Sequence, residues 1–118
     1  MKFLIFGTNG WIGGKVYNYL KNNNYNVEVG NSRVENVKDL ENEIIQKKPT
    51  HIISLIGRTH GTYQDEYIGT IDYLEKPGKV FENVRDNLYS PMVLSLLSKK
   101  NNFHFTYLGT GCIFQFDE

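Results

Sequence analysis

The sequence predicts an α/β protein built on a doubly wound parallel sheet. Strand-like runs alternate with helical periodicities along the chain, a pattern that means βαβ units joined by right-handed crossovers. The run His51-Ile52-Ile53-Ser54-Leu55-Ile56 is apolar almost without interruption, as a parallel strand covered on both faces requires. A bend with glycines at every third position joins the first strand to the first helix. Four strands in this succession predict the first half of such a sheet, in the order 3-2-1-4.

Each element has its own signal. Residues 1–6 read as a short apolar strand that stops at Gly7. Ile12, Val16, Tyr19 and Leu20 recur at helical spacing, and Asn22-Asn23-Asn24 ends that helix. A second strand over residues 26–30 precedes a helix marked by Val37, Leu40, Ile44 and Ile45, which Lys47-Lys48-Pro49 closes. After the third strand, residues 57–70 read as a long polar loop, a length usually functional or disordered in a compact domain. A third helix carries Val80, Phe81, Val84, Leu88, Val93, Leu94 and Leu97, and a fourth strand spans residues 103–108. Pro91 deprives the Asn87 carbonyl of its helical partner and predicts a kink there, unless Pro91 simply stands near a helix end.

The 118 residues make one domain, with 13 Lys and Arg against 13 Asp and Glu. That balance calls for neither nucleic acid nor an anionic membrane as a partner. A single cysteine excludes a disulfide framework or a zinc cluster, and the three histidines lack ligand spacing, so no metal is expected. No apolar run approaches the ~20 residues of a membrane span. A soluble cytoplasmic protein is the expectation.

The motif Gly7-Thr8-Asn9-Gly10-Trp11-Ile12-Gly13 carries the chemistry. The first glycine permits the tight turn, the second leaves backbone open to phosphate, and the third lets helix and strand lie close. Unpaired amides at the helix start then face a pyrophosphate, so the bend predicts a dinucleotide site of the Rossmann type. The second strand ends in Val29-Gly30-Asn31-Ser32-Arg33, with no acid at its tip to accept from a ribose 2′-hydroxyl; Glu28 lies inside the strand. Asn31, Ser32 and Arg33 instead suit the 2′-phosphate of NADPH, with NADH the lesser expectation. Arg33 as an ordinary solvated loop charge is the competing reading. Leu55, Ile56 and Gly57, at the end of the third strand, complete the expected cofactor-binding set.

The segment Thr110-Gly111-Cys112-Ile113-Phe114, taken with Gly7 to Gly14, Gly30-Asn31-Ser32-Arg33, Pro49-Thr50-His51, Ile71-Asp72-Tyr73-Leu74-Glu75 and Asn87, resembles the extended short-chain dehydrogenases/reductases that act on nucleotide sugars. Within them it is similar to the dTDP-4-dehydrorhamnose reductases. It is more similar to the bifunctional 3,5-epimerase/4-reductases of UDP-rhamnose synthesis. The resemblance implies an NADPH-dependent conversion of a UDP- or dTDP-4-keto-6-deoxyhexose to the rhamnose form. It places Thr110 as hydrogen-bond donor to the carbonyl under reduction, Cys112 as a proton-moving group in epimerisation, and Asn87 as anchor of a relay water. Cys112 as an inert buried thiol and Thr110 as a plain strand-end residue stand beside those roles. Arg58 and Tyr73, in and after the tyrosine-rich loop, are expected to face the sugar or its diphosphate.

The family's Tyr-x-x-x-Lys pair should follow the fourth strand. Tyr17-Asn18-Tyr19-Leu20-Lys21 spells it on the first helix, too far from the carboxyl end of the sheet to serve. The chain therefore reads as residues 1–118 of an NAD(P)-binding domain that stops before its proton donor and substrate-binding portion. A 4-keto reductase or dehydratase relative without epimerase activity, a non-catalytic dinucleotide-binding module, and a homodimer all remain open on these residues.

Overall fold

The computed structural model describes residues 1–110. Four parallel strands, β1 (Lys2–Phe6), β2 (Asn26–Val29), β3 (His51–Ser54) and β6 (His104–Tyr107), form the main sheet in the order β2-β1-β3-β6. A two-stranded antiparallel hairpin, β4 (Gly61–Tyr63) and β5 (Glu66–Ile68), stands apart from it. Helices α1 (Trp11–Asn22), α2 (Val37–Lys47), α3 (Val80–Val84) and α4 (Ser90–Asn101) supply the connections. The predicted α/β class and parallel sheet are what the structure shows.

The predicted strand order 3-2-1-4 is corrected. The third strand of the chain pairs directly with the first, Leu4 opposite Ile52 and Phe6 opposite Ser54, on the side away from β2. The physical reason lies in burial. Ile52 and Ser54 are fully buried, which a central strand provides and an outermost one cannot, whereas β2 is at most half-buried and suits the edge. Residues 30–36 form no strand outside it.

Leu4, Phe6 and Ile52 present one face of the sheet to Leu40 and Ile44 of α2 and to Val93, Leu94 and Leu97 of α4, forming the main core. Helix α1 packs on β1 and β2. Because the crossover from β1 to β2 runs opposite in direction to that from β2 to β3, right-handedness puts α1 on the other face. The sheet thus reverses its winding between β1 and β3, and the crevice beyond their carboxyl ends is where open α/β sheets take ligands.

Two segments depart from expectation. The loop of residues 57–70 holds the β4–β5 hairpin, whose turn residues Gln64 and Asp65 both adopt positive φ (48° and 65°), as a two-residue hairpin turn demands. The third helix continues from α3 into α4 through a π-turn at Arg85–Tyr89, closed by the Ser90 N–H donating to the Arg85 carbonyl. The widened turn ends two residues before Pro91, which has no amide to continue an α-helical ladder.

Candidate functional site

A cleft of about 290 Å³ opens at the carboxyl ends of β1, β2 and β3. Its lining includes Gly7, Asn9 and Gly10 from the glycine bend, Asn31, Ser32 and Arg33 from the loop after β2, and Leu55, Ile56 and Gly57 after β3. The structure therefore gathers three segments that the sequence singled out separately. Thr8, Trp11, Ile12 and Gly13 lie outside the lining. Trp11 is 75% exposed with the Lys15 Nζ over its ring at 4.1 Å.

The bend owes its shape to two glycines. Gly7 has φ +88°, and a Cβ there would stand 2.6 Å from the Leu55 carbonyl carbon. A Cβ on Gly13 would stand 2.0 Å from the Gly7 carbonyl oxygen, so α1 is seated directly on the bend. No side chain caps the start of α1 and no acid lies in its first turn, leaving its positive end suited to an anion.

The loop after β2 is held by a residue sequence reading missed. The amides of Asn31 and Ser32 donate to the Glu43 carboxylate at 2.9 and 2.8 Å, and Lys47 Nζ bridges Glu43 (2.7 Å) to the Val29 carbonyl (2.6 Å). Burial raises the Glu43 pKa, but the Lys47 hydrogen bond and the two amides outweigh it and bring it to about 2. Arg33 forks onto Glu35, its Nε at 3.1 Å and Nη2 at 2.9 Å, and Arg85 Nη1 stands 3.8 Å from the same carboxylate.

The opposite wall is made of side chains. Asp86, 7% exposed, accepts from Arg58 Nε (2.7 Å) and from Arg85 Nε and Nη2 (2.7 and 3.0 Å). Burial works against its charge, yet the two guanidiniums hold its carboxyl below the ordinary value. Asn87 pairs with the main chain of Arg58 on both sides: its Oδ1 accepts from the Arg58 amide and its Nδ2 donates to the Arg58 carbonyl, each at 2.8 Å. Nδ2 also donates to Asn83 Oδ1 at 2.9 Å, so the Asn87 side chain is committed to protein partners.

Tyr73 is packed rather than presented. It is 3% exposed, its ring lies against Gly61, and its hydroxyl donates to Glu82 at 2.7 Å. Thr110 follows β6 at the same end of the sheet as Gly7 and Gly57 and is exposed. Cys112 lies outside the described residues. Lys21 Nζ donates to the Tyr17 hydroxyl at 3.3 Å on the surface of α1, remote from the cleft lining. Among the described residues no group of three His, Cys, Asp or Glu is placed for a metal, and no helix is long and apolar enough to cross a membrane.

No family model matches the chain. It is 49% identical over 115 residues to protein L780 of Acanthamoeba polyphaga mimivirus, covering 98% of this chain and 38% of that protein. The crystal structure of L780, a UDP-rhamnose synthase, superposes with a TM-score of 0.89 over 98% of this chain and 39% of the other, at 50% identity. Arabidopsis thaliana RHM2, a trifunctional UDP-glucose 4,6-dehydratase/UDP-4-keto-6-deoxy-D-glucose 3,5-epimerase/UDP-4-keto-L-rhamnose-reductase, is 30% identical over 99% of this chain and 16% of its own length. A dTDP-4-dehydrorhamnose reductase from Bacillus anthracis, solved with NADP, shares the fold at 16% identity and a TM-score of 0.69, covering 89% of this chain and 35% of that one. The chain thus spans well under half the length of each of these relatives.

Proposed function

We propose that this chain, which is related along its length to part of the nucleotide-sugar enzymes of rhamnose synthesis, is the dinucleotide-binding portion of a 3,5-epimerase/4-reductase acting on a UDP-4-keto-6-deoxyhexose. The observation that carries the reading is the crevice between β1 and β3, where the Gly7 bend, the uncapped start of α1 and the Leu55-Ile56-Gly57 segment converge. These residues fit a nicotinamide dinucleotide: backbone without side chains where a pyrophosphate would lie, a helix end of positive sign, and Arg33 at the far edge.

When bound, the reduced nicotinamide supplies hydride to the sugar carbonyl. The chain's own residues do the rest. Thr110, at the sheet end where the carbonyl would stand, donates a hydrogen bond to the oxygen on which charge builds. Cys112 moves a proton at a carbon beside the ketone, whose hydrogens the carbonyl acidifies. Asn87 serves by fixing the Arg58 main chain, and its carbonyl before the Pro91 position is the candidate anchor of a relay water. Arg33 leaves Glu35 to take the 2′-phosphate of NADPH, with a charge-assisted pair in exchange for an exposed one.

The test is incubation of the full-length gene product with NADPH and UDP-4-keto-6-deoxyglucose, following cofactor oxidation and sugar stereochemistry. Stoichiometric oxidation with a rhamnose-configured product is expected. Oxidation without inversion at the flanking carbons would leave a plain 4-keto reductase, and neither would remove the enzymatic reading.

A further inference from the structure

Arg58 stands out among the cleft residues because it is gripped twice. Its main chain is paired on both sides by Asn87, and its Nε is held at 2.7 Å by Asp86, the preceding residue on the same π-turn. Glu82 Oε2 lies 3.6 Å from the same Nε. Asp86 and Asn87 are consecutive on the π-turn before Pro91, and between them they hold the side chain and the main chain of Arg58.

The grip has a direction. With Nε turned to Asp86, the two Nη nitrogens of Arg58 have no hydrogen-bond partner among the described residues, and the side chain is 35% exposed on the cleft lining. Asp86 is shared with Arg85, and Glu82 and Glu35 stand within 4 Å of the two guanidiniums, so the charges on this wall are paired at the Nε side of Arg58. A guanidinium whose Nε is held, on a partly exposed side chain that lines the cleft, is preorganised for a planar or tetrahedral oxyanion. The order of its ordering entropy is met by the fold itself, before any ligand arrives.

We infer that Arg58 binds a phosphate oxygen of a diphosphate in this cleft, and that Asp86 and Asn87 are positioning residues that aim it. The inference rests on the dinucleotide reading above and deepens it by naming the anion site on the wall opposite the glycine bend. Two sources share this chemistry, the diphosphate of the nicotinamide cofactor and that of the sugar nucleotide, and the two arms of the test separate them.

Isothermal titration of the full-length protein with NADPH and, separately, with UDP reads the site in wild type, Arg58→Ala, Asp86→Asn and the double variant. Arg58→Ala is expected to weaken at least one ligand roughly tenfold or more, the worth of a charge-assisted hydrogen bond. Asp86→Asn should weaken the same ligand by a similar factor, yet add little in the Arg58→Ala background, because its effect runs through Arg58. Asn87→Ala should follow the same pattern. Losses that simply multiply, or Arg58→Ala without effect on either ligand, would overturn the inference. Thermal melting checks that each variant is folded. Should Asp86→Asn not fold, Arg58→Lys, which retains the charge but not the Nε that Asp86 grips, is expected to lose most of the affinity, and wild-type affinity there overturns the aim assigned to Asp86. Wild type binding neither ligand would remove the dinucleotide reading too, whereas wild-type binding unchanged by Arg58→Ala removes this inference alone.

Discussion

The two walls of the cleft are built in opposite ways. The glycine-bend wall is main chain: a positive-φ residue, a helix seated on a carbonyl, and a helix start with no side-chain cap. The wall across from it is side chain: Arg58 reaching Asp86 and Asn87 across 28 and 29 residues of sequence. The first is written in adjacent residues and tolerates no added atom at its tightest points. The second is written in long-range pairs and responds to charge. One wall should therefore fail by steric overlap, the other by loss of a polar partner.

The largest expected break is at the bend. Gly7→Ala forces a Cβ into the Leu55 carbonyl and an L-residue into a left-handed conformation, which together cost on the order of 2–5 kcal/mol. Urea denaturation of the folded variant should show that loss, and NADPH titration should show no binding. A stable Gly7→Ala that binds normally would mean the bend is not built as described.

Glu43 lies between the two styles, since a side chain there fixes main-chain amides. Its folded pKa of about 2 is below the ordinary 4.5, so the charged form favours the folded state. That contribution is fully present above about pH 4.5 and is lost as pH falls through 2. Glu43→Gln should remove up to about 3 kcal/mol at neutral pH, less solvent screening, and flatten the acid limb of a stability-against-pH curve. An unchanged acid limb would show that another carboxylate governs it.

Discrimination between cofactors sharpens the comparison further. Arg33→Ala is expected to weaken NADPH roughly tenfold while leaving NADH nearly unchanged, as competition titrations can show. Equal losses would return Arg33 to a solvated loop charge. Smallest is Glu35→Gln. The Arg33–Glu35 pair is exposed, so stability should move by less than ~0.5 kcal/mol in thermal melts. NADPH should nevertheless bind more tightly, because Arg33 no longer has to leave a carboxylate; weaker binding would mean that Glu35 aims Arg33.

The difference between the walls also explains what was legible in the sequence. The bend, the alternation of strands with helices and the β3 core strand were readable because glycine spacing, helical period and apolar runs are local signals. The position of β3 beside β1 was implicit in its own hydrophobicity: a strand with Ile52 and Ser54 fully buried belongs in the middle. The β4–β5 hairpin escaped because Gln64-Asp65 lacks the Asn-Gly signature of its turn, although both residues take the required positive φ. Pro91 announced a distortion before it, but not that the distortion is a π-turn bringing Asp86 and Asn87 onto Arg58. Glu43 gave no signal at all, since its acceptor role exists only once α2 is folded against the end of β2. The burial of Tyr73 against Gly61 was not legible either, because its partner lies in the hairpin that sequence did not reveal.

The central claim is that the Gly7–Gly13 bend cradles a dinucleotide's pyrophosphate. A crystal structure of the full-length protein grown with NADPH tests it most directly. The account predicts pyrophosphate density at the start of α1, within hydrogen-bonding distance of the bend amides and with the adenosine end toward Arg33. A cofactor bound elsewhere with that bend empty would contradict it.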